Sequence, residues 1–204
     1  MLNELQHNII EFIEVGGFII PPLIVLTIVL WYALGNRYSS LKRGSKRSIR
    51  DLIDLYEVDP SRQTKGIVDE AVLRGVKIKA KKKQNLRRYL DDSFNDFYVP
   101  LNQYSRFIKT VVTIAPIAGL LGTVTGMIET FDSLGDMALF TQTGGIAGGI
   151  SQALFTTQMG LAIAIPGLII ERLLKKKQTR LEIELAQVKD ILCSEETTQQ
   201  IQRA

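Results

Sequence analysis

Five polar residues, Ser151, Gln152, Thr156, Thr157 and Gln158, fall within eight positions of an otherwise apolar, helix-forming stretch. Ser151 and Gln158 share one helical face, and Gln152 and Thr156 form the stripe beside it. Hydroxyls and amides orient water and accept hydrogen bonds, but they do not titrate near neutral pH. Two glutamines in one apolar helix are costly in hydrocarbon unless they meet partners or water. Helix adhesion accounts for one or two such groups, at ~0.6–2 kcal/mol each; five together point to a surface facing a wet or polar partner. A second stretch, Ala115–Phe131, reads APIAGLLGTVTGMIETF. Ala115, Gly119, Gly122 and Gly126 recur there at three- and four-residue steps, leaving one side thin enough for close helix approach. Thr123 and Thr125 stand among them, and Glu129 lies one turn from the end. Other chemistry is poorly represented. His7 and Cys193 are the only His and Cys, which argues against a metal site. There is no nucleophile–base pair, phosphate loop or cofactor motif, so an enzyme is the weakest reading.

Positioning these residues is the task of three uncharged runs: 21 residues from Val15 to Gly35, 19 from Thr110 to Ile128 and 34 from Met137 to Ile170. A bilayer core needs ~20 apolar residues of helix, so the chain reads as an all-α integral membrane protein with three spans. The 25 Lys+Arg and 21 Asp+Glu are distributed unevenly around them. Arg37, Lys42, Arg43, Lys46, Arg47 and Arg50 follow the first run, Arg106 and Lys109 precede the second, and Arg172, Lys175, Lys176, Lys177 and Arg180 follow the third. The opposite flanks carry Glu4, Glu11, Glu14, Asp132 and Asp136 and no Lys or Arg. By the positive-inside rule the amino terminus is expected outside and the carboxyl terminus in the cytoplasm. The expected order is a periplasmic amphipathic segment (1–14), a first span (15–35), a cytoplasmic helical domain (36–109), a second span (110–131), a periplasmic loop (132–144), a third span (145–171) and a cytoplasmic helix (172–204). The acidic start and long apolar run do not fit a cleaved signal peptide. Pro21-Pro22 is expected to kink or open the outer part of the first span, and Trp31 and Tyr32 suit an interfacial belt.

Between the first two spans, Ile49–Glu57, Thr64–Leu73 and Asn85–Val99 carry helical periodicity, with breaks at Asp59-Pro60-Ser61 and at Gly75. Pro100 is expected to bend a helix that continues through Tyr104 into the second span. Leu174, Leu181, Leu185, Val188 and Leu192 make a heptad seam, packing either within the chain or between subunits. The basic run Lys77–Lys83 with Arg87 and Arg88 lacks interleaved aromatics, so it reads as a solvated face near anionic membrane lipid rather than a nucleic-acid patch.

Ala115–Phe131, followed by GISQALFTTQMGLAIAIP from Gly149 to Pro166, resembles the TolQ/ExbB/MotA proton-channel family. The first span, VGGFIIPPLIVLTIVLWYALGNR, is similar to that of the three-span ExbB/TolQ branch rather than to four-span MotA-type subunits. The resemblance implies a pentameric ring whose pore holds single-span helices of an ExbD- or TolR-like partner. It places threonines of the proton path at Thr123 and Thr157, with Gln152, Thr156, Ser151 and Gln158 as further pore-lining candidates. A glutamate common in ExbB and TolQ before the ALxxT stretch is Gln152 here. With no titratable residue inside the third span, the chain supplies a polar wall and the proton-carrying Asp comes from the partner. The implied role is an ExbB-like motor subunit in a bacterial inner membrane, driven by proton-motive force and serving TonB-dependent transport through a TonB-like protein. Alternatives are a TolQ-like envelope or gliding motor and a non-conducting membrane scaffold. Protons are the expected ion, although threonine oxygens can also bind sodium.

Overall fold

The computed structural model describes residues 17–81, 85–136 and 144–201, and every regular element among them is helical. The 1–14 segment lies outside the described residues. A single 3-10 turn, Gly17–Ile19, leads into α1 (Ile20–Ser40). It is followed by α2 (Ile49–Val58), α3 (Ile67–Lys81), α4 (Leu86–Asn102), α5 (Ser105–Asp136) and α6 (Gly144–Ile201). Three segments, within Gly17–Ser40, Leu86–Asp132 and Ile146–Ser194, are long and apolar enough to cross a membrane.

Several helix limits differ from the sequence reading. Pro21 and Pro22 occupy the first turn of α1, where a missing N–H has no intrahelical partner to lose, so they start the helix rather than kink it. No helix runs through Tyr104: α4 stops at Asn102, and Tyr104 takes a left-handed φ of 61° before α5 begins. The loop expected from 132 begins as helix, because α5 continues to Asp136; residues 137–143 lie outside the described part. Gly75 does not end α3. It sits buried in mid-helix, where an added Cβ would lie 2.5 Å from Leu192 Cδ1.

The chain divides into two compact units. One comprises residues up to Leu34 together with Arg106–Glu171, and the other Gly35–Ser105 together with Arg172 onward. In the second unit the apolar faces of α2 (Leu52, Ile53, Tyr56), α3 (Val68, Ala71, Val72, Val76) and α4 (Leu86, Leu90, Phe94, Phe97, Leu101) are buried. Phe94 and Phe97 meet edge to face, with centroids 5.6 Å apart. The α6 seam, Leu174, Leu181, Leu185, Val188 and Leu192, is buried within the same chain, which decides between the two packings the sequence left open. Each such side chain contributes ~1.5–3 kcal/mol on leaving water.

The seven-residue step in that seam is filled by Gln178, fully buried between Leu174 and Leu181. Its Oε1 accepts from Arg37 Nη2 at 2.8 Å, and its Nε2 donates to Asn102 Oδ1 and Glu182 Oε1, both at 2.7 Å. A buried guanidinium is tolerated where it is hydrogen-bonded. Nearby, Arg43 Nε donates to Glu184 Oε2 at 2.5 Å. The Asp69 carboxylate, 1% exposed, accepts from the backbone N–H groups of Ser45 and Lys65 at 3.2 Å, fastening the 41–48 loop to the start of α3.

Candidate functional site

The membrane-spanning unit is organised by one seam between α5 and α6. On α5 the inward residues are Ile108, Val111, Val112, Ala115, Gly119, Gly122, Gly126 and Thr130. On α6 they are Gly149, Ala153, Thr156, Gly160, Ile163, Ala164 and Gly167. Small residues meet small residues across it. A Cβ added at Gly119 would lie 2.8 Å from the Thr156 carbonyl oxygen and 3.3 Å from Gly160 Cα; one added at Gly160 would lie 2.7 Å from the Ala115 carbonyl oxygen. At Gly126 the nearest atom would be the Gly149 carbonyl oxygen, also at 2.7 Å. The obstacles are backbone atoms, so the two helix axes are as close as their main chains allow.

That seam divides the polar band. Thr156 is 1% exposed and packs against Gly122, its hydroxyl donating to Ala153 O at 3.0 Å. At about 100° per residue, Thr157 lies on one flank of the seam and Gln152 on the other, with Ser151 and Gln158 exposed on the far side of α6. The Thr157 hydroxyl lies 3.2 Å from Ala153 O and 3.4 Å from Gly119 O across the seam. Thr123, one turn beyond Gly119, shares this flank, and its hydroxyl donates to Leu120 O at 2.7 Å. Both threonines are half-buried in the chain. With their protons directed at helix carbonyls, both hydroxyls keep acceptor lone pairs for an incoming donor.

The other flank carries a different pair. Gln152 Nε2 donates to Glu129 Oε1 at 3.4 Å, and Gly17 backs directly onto the same amide, where a Cβ would collide with it. The sequence shows both residues but not their juxtaposition, because they come from separate helices 23 positions apart. Among the described residues no group of three or more His, Cys, Asp or Glu side chains could hold a metal.

The profile of the MotA/TolQ/ExbB proton channel family matches residues 63–187. The chain belongs to that family. The match covers the α5–α6 seam, both threonines and the Glu129–Gln152 pair. Among similar proteins is biopolymer transport protein ExbB-like 1 of Synechocystis sp., 28% identical over 195 residues, covering 88% of this chain and 75% of the relative. ExbB-like 3 of the same organism is 24% identical over 176 residues, covering 81% and 84%. Biopolymer transport protein ExbB of Aquifex aeolicus is 41% identical over 70 residues, 34% of this chain and 47% of that protein. Family membership and the three apolar helices together make this a membrane protein of the biopolymer-transport type.

Proposed function

We propose that the chain is an ExbB-like subunit of a proton-driven motor in a bacterial inner membrane. Copies of it form a ring, with five subunits expected, around single-span helices of an ExbD- or TolR-like partner whose intramembrane Asp carries the proton. Thr123 and Thr157 supply the polar wall of the path, and Ser151, Gln152 and Gln158 supply further polar surface. The charge asymmetry supports a periplasmic amino terminus, with the Gly35–Ser105 region and the end of α6 in the cytoplasm. The ExbB names of the relatives favour transport energised through a TonB-like protein over a TolQ-like or gliding output.

The observation that carries this reading is the shared flank of Thr123 and Thr157. Two hydroxyls, from different helices and within about one turn of each other along the seam, keep acceptor capacity on the flank away from Gly17. A carboxylic acid arriving there finds oxygen acceptors in a wall that is otherwise apolar, so it can be held briefly without the wall itself titrating. Release and recapture at successive subunits would turn proton flow into rotation or rocking of the partner helix.

The test is Thr123→Val and Thr157→Val, which keep branched bulk and remove only the hydroxyl. In a strain that depends on this system, both variants are expected to assemble the complex but to lose uptake driven by proton-motive force. Retained uptake would make the threonines packing residues and favour a non-conducting scaffold. Proton leakage through an isolated ring, as fast as through the whole complex, would also defeat the reading.

A further inference from the structure

In the second compact unit α4 and α6 each bury one face and leave the opposite face bare. On α4 the buried positions are Leu86, Leu90, Phe94, Phe97 and Leu101. At about 100° per residue, Asp92, Asn95, Asp96 and Val99 gather on the side away from them, and all four are exposed. On α6, Lys176, Thr179, Arg180, Ile183 and Gln187 lie opposite the Leu174–Leu192 seam and are exposed as well; with Glu184 they line a groove of about 560 Å³. One strip is acidic and the other basic. Each carries one bare apolar side chain, Val99 at 71% and Ile183 at 54% exposure. Asp96 and Arg180 have partners within the chain, Arg74 at 3.0 Å and Glu184 at 3.4 Å, yet remain 75% and 79% exposed.

The two helices run antiparallel, and two hydrogen bonds fix their levels. Gln178 meets Asn102, and Lys189 meets Asp91, eleven residues further along each helix. Interpolated at 1.5 Å per residue, Val99 stands within about 3 Å of the level of Ile183, and Asp96 within about 6 Å of that of Arg180. Arginine is long enough to cover such a step. Both strips point away from the shared core, so they cannot meet within one chain. Rotation about an axis along these helices, however, carries every residue to the same level in the next copy. A ring can therefore join the strips only if complementary groups lie at matching levels, and they do.

We propose that the basic strip of α6 in one copy receives the acidic strip of α4 in the next, with Val99 against Ile183 and Asp96 beside Arg180. This rests on the ring reading above and adds which faces close the ring. Contact between two different faces repeats head to tail until the ring shuts. Contact between like faces would instead set basic on basic and acidic on acidic. Charge selects the faces and their register, and the two apolar side chains supply the water-excluding contact.

The experiment uses the full chain in lipid nanodiscs, with C193S throughout so that the only thiols are introduced ones. V99C/I183C is oxidised and run on denaturing gels, while native mass spectrometry of the unoxidised sample reads ring size independently. V99C/I183C is expected to give a ladder of covalent multimers. V99C/Q187C, on the same strips but about 9 Å off level, is expected to give several-fold less. R180D should cut the V99C/I183C ladder several-fold, and adding D96R should restore it. A dimer formed by V99C alone, or equal ladders with I183C and Q187C, would overturn the proposal. So would a loss in R180D that D96R does not recover, the result expected if the basic strip holds anionic lipid headgroups instead. A ring by mass without a ladder refutes these faces and leaves the ring reading standing; absence of both defeats the two together.

Discussion

Replacing Gly119 with alanine tests the central physical claim about the spanning unit, that main-chain contact sets the α5–α6 distance. The added methyl would stand 2.8 Å from the Thr156 carbonyl oxygen, 3.2 Å from Thr157 Cα and 3.3 Å from Gly160 Cα. None of these atoms can rotate away as a side-chain tip can, so the helices must part by several tenths of an ångström. Gly148, on α6 with nothing within 4 Å of an added Cβ, is the matched control. Both substitutions gain the alanine helix preference, about 0.5–1 kcal/mol. Only Gly119→Ala adds overpacking, typically ~1–3 kcal/mol. The control should therefore be neutral or slightly stabilised, and Gly119→Ala should fall roughly 1–3 kcal/mol below it. The assay is reversible unfolding in mixed detergent micelles, followed by helical ellipticity and by a fluorophore pair across the seam. Equal stability of the two variants would refute main-chain contact as the limit on helix approach.

The helical unit yields two further predictions. Gln178→Leu keeps the bulk of the seam but removes the hydrogen bond from Arg37 Nη2 to Gln178 Oε1, and hydrogen bonds to charged groups are worth ~1.5–3 kcal/mol; an unfolding free energy lowered by less than ~0.5 kcal/mol would contradict that. Burial raises the Tyr56 phenol above its ordinary value of 10.0, and Asp69 adds to this while Arg62 opposes it. The unfolded chain then releases that proton first as pH climbs through about 10, so the folded state binds more protons and stability falls with rising pH. Tyr56→Phe should flatten the alkaline part of the stability profile; an unchanged slope in that range would rule Tyr56 out as its source.

Helix periodicity made the five buried leucine and valine positions of the α6 seam readable, because a heptad pattern has few alternatives once strands are absent. Gln178 in the same register looked like a gap. It became a structural element only through Arg37 and Asn102, which reach it from 141 and 76 residues away in the sequence. Gly75 was misread for a related reason. Glycine breaks helices by propensity, but in α3 the absent side chain makes room for Leu192, and packing outweighs a preference of about 1 kcal/mol. Pro100 misled in the opposite sense: a proline can remain inside a helix, and the break came at Tyr104, whose positive φ no pattern announces.

The polar band shows the same division. Composition and spacing alone determined that the chain has three apolar runs, which way the flanking charges point, and that two helices carry small and polar residues. Those properties depend on one residue type at a time or on neighbours within a turn. Tertiary contact decided what each polar group does: Thr156 goes into the seam, Thr123 and Thr157 onto one flank, and Gln152 beside Glu129 and Gly17 on the other. That sorting depends on how far α5 is rotated against α6. The rotation follows from glycines meeting backbone across a gap too narrow for a methyl group, a constraint between chain segments that no local pattern carries.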